Sequence, residues 1–152
     1  MPDKLTVRPA TREDIDTLVQ FNQAIASETE DKSLAPDTVR RGVNALFDDP
    51  SRGFYLVAVR ADTIVGSVMI TTEWSDWRNG LFWWIQSVYV RPDARRSGVY
   101  TALHEAVRSR AADTEEVCGL RLYVDDANQS ARDTYESLGM TETGYRLYEE
   151  ML

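Results

Sequence analysis

Hydrophobic positions along this chain follow two rhythms, one of period two and one of three to four, separated by short polar links. Leu5 to Arg8 reads as a short strand closed by Pro9. Thr11 and Asp14 then resemble a capping box, with Asp in place of the usual Glu or Gln. Ile15, Leu18, Val19, Asn22 and Ile25 follow at helical spacing and predict a first helix from Arg12 to Ser27. Glu28, Glu30 and Asp31 fall in the next polar link, which reads either as a solvated loop or as an acidic rim near a substrate mouth. Pro36 suits the first position of a second helix, whose buried face is Val39, Val43, Leu46 and Phe47. Gly42 inside it costs about 1 kcal/mol against Ala, which predicts an irregular helix. Phe54 to Arg60 is apolar on both faces and suits a central strand. After the tight link Ala61-Asp62-Thr63, Ile64 to Thr72 returns as its antiparallel partner, with Gly66 marking a bulge or a close approach.

The next strands carry the candidate chemistry. Glu73 to Gly80 reads as a long loop holding Trp74, Asp76 and Trp77, closed by the turn signal Asn79-Gly80. The two Trp either fold back on the core, form a subunit contact, or wall a pocket for an ammonium group that a carboxylate steers. Trp83, Trp84 and Ile85 lead into a strand through Val88, Tyr89 and Val90, which Pro92 and Asp93 end. Val99, Ala102, Leu103, Ala106 and Val107 then mark a helix. Strand, turn and helix N-terminus leave several backbone N–H groups pointing one way, with Gly98 allowing close approach. Such a terminus suits a phosphate or pyrophosphate, and Arg95 and Arg96 stand on its lip. The stretch is neither a P-loop nor a dinucleotide fingerprint. Cys118 to Val124 reads as a further strand, parallel to the one through Ile85, with Cys118 a small buried hydrophobe. Asn128 caps a last helix bearing Ala131, Tyr135 and Leu138 on one face and Gly139 past its end. Met140 to Met151 reads as one or two strands, and His104 as a surface residue.

Length and charge narrow the classes. At 152 residues the chain is most simply one domain, 1–152. A net charge of −8 disfavours nucleic acid and favours cationic small molecules at long range. One cysteine excludes an internal disulfide framework and points to a reducing cytoplasm. One histidine and no ligand cluster predict no metal site. The opening Met1-Pro2-Asp3-Lys4 has no apolar signal-peptide core, and no apolar run is long enough to span a membrane.

Three segments resemble the GNAT superfamily of acyl-CoA N-acyltransferases. V-x-V-R-P-x-x-R-R-S-G-V is similar to the family's cofactor motif Q/R-x-x-G-x-G/A, which maps onto Arg95, Arg96, Ser97, Gly98, Val99 and Tyr100. L-Y-V-D-D-A-N-x-x-A-x-x-x-Y-x-x-L-G-M, from Leu122 to Met140, is similar to the segment in which an Asn, a Tyr and a closing L-G-F/M recur. V-R-P-A-T-x-x-D, from Val7 to Asp14, resembles the family's usual start. The resemblance implies an α/β (α+β) fold: a mixed, mostly antiparallel sheet with a splayed parallel strand pair and about four helices. Two features depart from the pattern. Tyr100 stands where the motif ends in Gly or Ala, which would narrow the cofactor groove, and Gln86 and Ser87 occupy positions where many members carry a carboxylate.

The resemblance implies acetyl-CoA as cosubstrate, its pyrophosphate on the N–H groups from Arg96 to Tyr100 and its pantetheine arm along Val88, Tyr89 and Val90. A backbone N–H near Val88 would polarise the thioester carbonyl. Tyr135 would be the general acid for the departing thiolate, and Asn128 would bind the pantetheine, cap its helix, or both. A phenol near pKa 10 facing a thiol near 8.5 is uphill by about 2 kcal/mol, so Tyr135 acts more by hydrogen-bonding the sulfur than by early transfer. With the usual carboxylate absent, Glu73 is the candidate base and Asp76 the second choice. An alkylammonium near 10.4 facing a carboxylate near 4.3 is uphill by about 8 kcal/mol, so a water chain or deprotonation after attack is required. The expected activity is acetylation of a small cationic primary amine by direct attack in a ternary complex. A protein lysine or N-terminal acetyltransferase, and a non-catalytic acyl-CoA-binding module, are the alternatives. Homodimerisation through the C-terminal strands or the aromatic loop is a further expectation.

Overall fold

The computed structural model describes residues 3–152, so Met1 and Pro2 of the opening segment lie outside the described residues. By internal contact the chain divides into two units, Met1–Leu122 and Tyr123–Leu152.

The first unit is built on five strands in the order of the chain. They are β1 (Leu5–Pro9), β2 (Gly53–Arg60), β3 (Thr63–Ser75), β4 (Gly80–Val90) and β5 (Val117–Arg121). All neighbours are antiparallel except β4 and β5, which are parallel. A parallel neighbour needs a crossover, and α3 (Val99–Ala112) supplies it. α1 (Ile15–Glu30) and α2 (Pro36–Asp48) lie between β1 and β2. The alternation of β2 divides the core: Tyr55 and Val57 join Ile15, Leu18, Val19, Val43 and Leu46, while Leu56 and Ala58 join Val68, Ile70, Ile85, Val99, Leu103 and Val107. One sheet face is therefore covered by α1 and α2 and the other by α3, which explains why β2 is apolar on both faces from Phe54 to Val59.

Local signals explain most boundaries. Asp14 accepts the Thr11 amide at 2.8 Å, the reciprocal half of the expected capping box, and also pairs with Arg8 at 2.8 Å. Pro36 opens α2 as expected, and the helix runs unbroken through Gly42. A Cβ at Gly66 would lie 2.8 Å from Val99 and 3.0 Å from the Tyr89 carbonyl, so Gly66 is a close-approach point where α3 meets the sheet.

Several expectations are corrected. α1 runs to Glu30, because Asp31 adopts the left-handed conformation (φ 51°) that closes a helix, so Glu28 and Glu30 are helical rather than in a loop. β3 and β4 extend to Ser75 and from Gly80, so Glu73 and Trp74 stand on a strand and the link is only a short turn. Cys118 is exposed rather than buried: Leu81 pairs with Val117 and Phe82 with Gly119, which leaves Cys118 as the extra residue of a register shift. β5 stops at Arg121, not Val124. His104 is 1 % exposed rather than on the surface, because neighbours on its own helix satisfy both ring nitrogens.

The second unit contains α4 (Gln129–Ser137), with Gly139 past its end at φ 95°. Met140 to Met151 forms no strand, contrary to its alternating pattern: a strand needs a ladder partner as well as a period. Among the described residues no helix is long and apolar enough to cross a membrane.

Candidate functional site

β4 departs from regular geometry at the one place the sequence left chemically blank. Ser67 pairs with Tyr89 but Met69 with Gln86, so β4 carries one extra residue against β3, and Ser87 is left-handed at φ 49°. This bulge re-aims the strand. β5 pairs only with Leu81 to Trp84, so β4 from Ile85 onward has no β5 partner. The splayed parallel pair is therefore present. Val88 and Val90 pack their side chains against the core and have only backbone to offer at that edge.

The strand then feeds a tight turn. A single 3-10 turn (Pro92–Ala94) leads to Arg96 at φ 61° and Gly98 at φ 83°, and α3 begins at Val99. Among the hydrogen bonds of the described residues, none uses the N–H of Arg96, Ser97, Gly98 or Val99. Consecutive N–H groups turned by left-handed residues at a helix N-terminus form an anion-binding concavity. The orphaned donors fit a pyrophosphate. The Ser97 hydroxyl donates to the Ala94 carbonyl at 2.5 Å and accepts from Arg60 at 3.2 Å. Arg60, at the end of β2, brings a cation to the loop that no sequence motif signalled, and its Nε is buried with no hydrogen-bond partner.

Arg95 and Arg96 differ. Arg96 is exposed. Arg95 is folded back: its Nε donates to the Val90 carbonyl at 2.9 Å and its Nη2 to Glu28 at 2.8 Å, with the guanidinium 5.6 Å from the Tyr89 ring centre. Tyr89 is buried against Phe21 and donates its hydroxyl to Glu28 at 3.3 Å, so its side chain faces α1 and only its backbone is left for a cofactor. Burial first, and the Glu28 charge second, push the Tyr89 phenol above its usual pKa.

Tyr100 is held along α3. Its hydroxyl lies 3.1 Å from His104 Nδ1, and His104 Nε2 lies 3.2 Å from Arg108. A guanidinium only donates, which assigns Nε2 as acceptor and Nδ1–H as donor to the Tyr100 oxygen. Burial, then the Arg108 charge, lower the His104 pKa, consistent with a neutral ring.

The hairpin residues form a second group. Glu73 Oε1 accepts from Trp84 Nε1 at 3.0 Å and from Arg121 at 2.9 Å, and Arg121 stacks on Phe82 at 3.5 Å. Trp74 and Trp77 are 63 % and 86 % exposed, so neither folds back on the core. Asp76 accepts the Trp77 amide at 2.9 Å. Glu73 pairs with Phe82, six positions before Val88 in β4 (88 minus 82). At roughly 3.3 Å per residue that is about 20 Å along the strand, beyond one bridging water.

In the second unit, Asn128 caps α4 by accepting the Ala131 amide at 3.1 Å. Tyr135 is partly buried, which raises its phenol pKa.

The sequence profile of the Acetyltransferase (GNAT) family matches residues 17–140. The chain belongs to that family. It is 35 % identical over 127 residues to a mycothiol acetyltransferase of Thermobispora bispora, covering 78 % of this chain and 40 % of that relative, so the chain spans well under half of that protein's length. A possible acetyltransferase from Clostridium difficile 630 is similar in structure at 43 % identity, TM-score 0.91 and 97 % coverage of both chains. A predicted acetyltransferase with acetyl-CoA from Clostridium acetobutylicum shares the fold at TM-score 0.80 and 17 % identity, covering 97 % of this chain and 96 % of that one. Among its described residues this GNAT chain has the family's mixed five-stranded sheet and four α-helices, and acetyl-CoA is the family's acyl donor.

Proposed function

We propose that residues 1–152 act as one domain that transfers an acetyl group from acetyl-CoA to a primary amine, of a small cationic compound, in the cytoplasm. The observation that carries this reading is the unpaired edge of β4 leading into the orphaned N–H groups of Arg96 to Val99. The likeness to a mycothiol acetyltransferase supports the acetyl-transfer part.

In this reading the N–H groups from Arg96 to Tyr100 hold the pyrophosphate, with Arg95 and Arg96 adding charge-assisted bonds. The backbone of Val88 to Val90 holds the pantetheine, and an N–H near Val88 stabilises the developing oxyanion. Bound acetyl-CoA supplies the thioester. The chain's main contribution is holding two reactants in register, with no covalent intermediate on the protein. Tyr135 hydrogen-bonds the leaving sulfur, and its raised pKa keeps the phenol protonated. Asn128 steadies the start of its helix. Trp74, Trp77 and Asp76 form the outer acceptor wall. Glu73, about 20 Å along the sheet from Val88, serves as the end of a water chain rather than as a direct base.

Calorimetric titration with acetyl-CoA, desulfo-CoA and free acetate tests the donor side. Binding by the first two and not by acetate is expected, and no binding by any of them would sink the reading. Thiol release over a panel of amines and lysine peptides then tests the acceptor, with turnover expected on small polycations. Turnover on peptides alone would replace the small-molecule acceptor with a protein one. For Glu73, the measurement is the pH–rate profile of Glu73→Gln. A changed profile is expected, and an unchanged one removes Glu73 from the proton path.

A further inference from the structure

Arg95 meets a carboxylate where the acetyl-CoA reading needs it to meet phosphate. Its guanidinium is held by the Glu28 carboxylate at 2.8 Å and the Val90 carbonyl at 2.9 Å, over the Tyr89 ring. Glu28 comes from the last turn of α1, a segment far away in sequence that reaches the cofactor loop only through the fold. We propose that Glu28 is an internal competitor for the cofactor: its carboxylate occupies Arg95 in the free protein and must give the guanidinium up when the pyrophosphate binds. The inference rests on the acetyl-CoA reading and adds to it a residue that sets donor affinity.

Three observations support the competition. First, the pair is partly exposed on both sides, so it contributes little to stability and exchanges partners readily. Second, Glu28 stands at the negative end of the α1 dipole, whose last turn contains no basic residue. Arg95 is thus the cation that offsets an unfavourable charge there, and withdrawing it is a cost that donor binding must overcome. Third, two adjacent phosphates present more negative charge to a guanidinium than one carboxylate, which gives the exchange its direction. Tyr89 remains a hydroxyl donor to Glu28 after the exchange, so the carboxylate keeps one partner. Glu28 is a positioning residue in this scheme, because it acts through Arg95.

The test is a double-mutant cycle read by calorimetry with coenzyme A at low ionic strength, where screening is least. Wild type, Glu28→Gln, Arg95→Gln and the double variant are compared, with Glu30→Gln as a control that removes the same charge from the same helix end. Glu28→Gln is expected to bind coenzyme A about two- to five-fold tighter, the range an exposed ion pair supports. In the Arg95→Gln background the same change is expected to do nothing, and Glu30→Gln is expected to match wild type. Weaker or unchanged binding by Glu28→Gln overturns the proposal and makes Glu28 a prop for Arg95. Equal tightening in both backgrounds, or in Glu30→Gln, also overturns it, because the effect is then overall charge. If wild type binds no coenzyme A at all, the acetyl-CoA reading itself fails and takes the proposal with it.

Discussion

His104 is buried between Tyr100 and Arg108 on its own helix, with both ring nitrogens engaged. Its folded pKa is lowered, so below about pH 6.5 the unfolded chain binds the proton more readily than the folded one. Its contribution is therefore complete above the unfolded value and is lost as pH falls from there through the folded value. Urea midpoints between pH 7.5 and 5 should fall for the wild type and fall less for His104→Gln. Equal slopes would remove His104 as a source of the pH dependence. Apolar spacing on α3 was legible in the sequence, but His104 sits on the flank of that stripe, and its burial depends on partners four residues away in each direction. Cys118 misled in the opposite sense, because a one-residue shift in pairing puts it outside the ladder. Gly98, read as a point of close approach, is left-handed at φ 83°, a conformation that glycine accommodates.

At the scale of elements, Gly66 ties the sheet to the start of α3. A side chain there would press on Val99, the first residue of α3, and on the Tyr89 carbonyl. Gly66→Val should cost about 1–3 kcal/mol by overpacking and should also weaken coenzyme A binding, because the N–H cradle ends at Val99. Denaturant midpoints and calorimetry on the same preparation check both. Lost stability with unchanged affinity would separate the cradle from the packing beneath it. Strands β1 to β4 and helices α1 to α3 were legible because their periods are strong and their ends carry Pro, Gly or Asp. The bulge at Ser87 was not, because nothing local marks it and only the mismatch with β3 creates it. The C-terminal alternation from Met140 predicted a strand that is absent, since pairing is not a property of one segment.

The whole molecule carries a net charge of −8, and this bears on encounter rather than on fold. For a cationic amine, kcat/KM should fall as ionic strength rises from about 0.01 to 0.15 M while kcat holds steady, because screening acts on approach. An acidic peptide amine should show the reverse slope. Salt-independent kcat/KM for the cationic amine would show that overall charge plays no part in selecting it. The family matches residues 17–140, which include parts of both contact units, so the sequence signature is longer than either structural division of it.

The sequence by itself determined the order of most elements, the turn at Gly98 that opens α3, the parallel pairing that follows a crossover helix, and membership of the GNAT family. All of these rest on short-range rules: side-chain period, capping, glycine conformation and motif spacing. Only the tertiary structure decided that Arg95 is held by Glu28, that Arg60 reaches Ser97, that Glu73 is tied to Trp84 and Arg121, and that His104 is buried. Except for His104, whose partners lie on its own helix, these contacts join residues far apart in the chain. They exist because strand register and helix packing bring those residues within hydrogen-bonding reach, which a one-dimensional pattern does not encode.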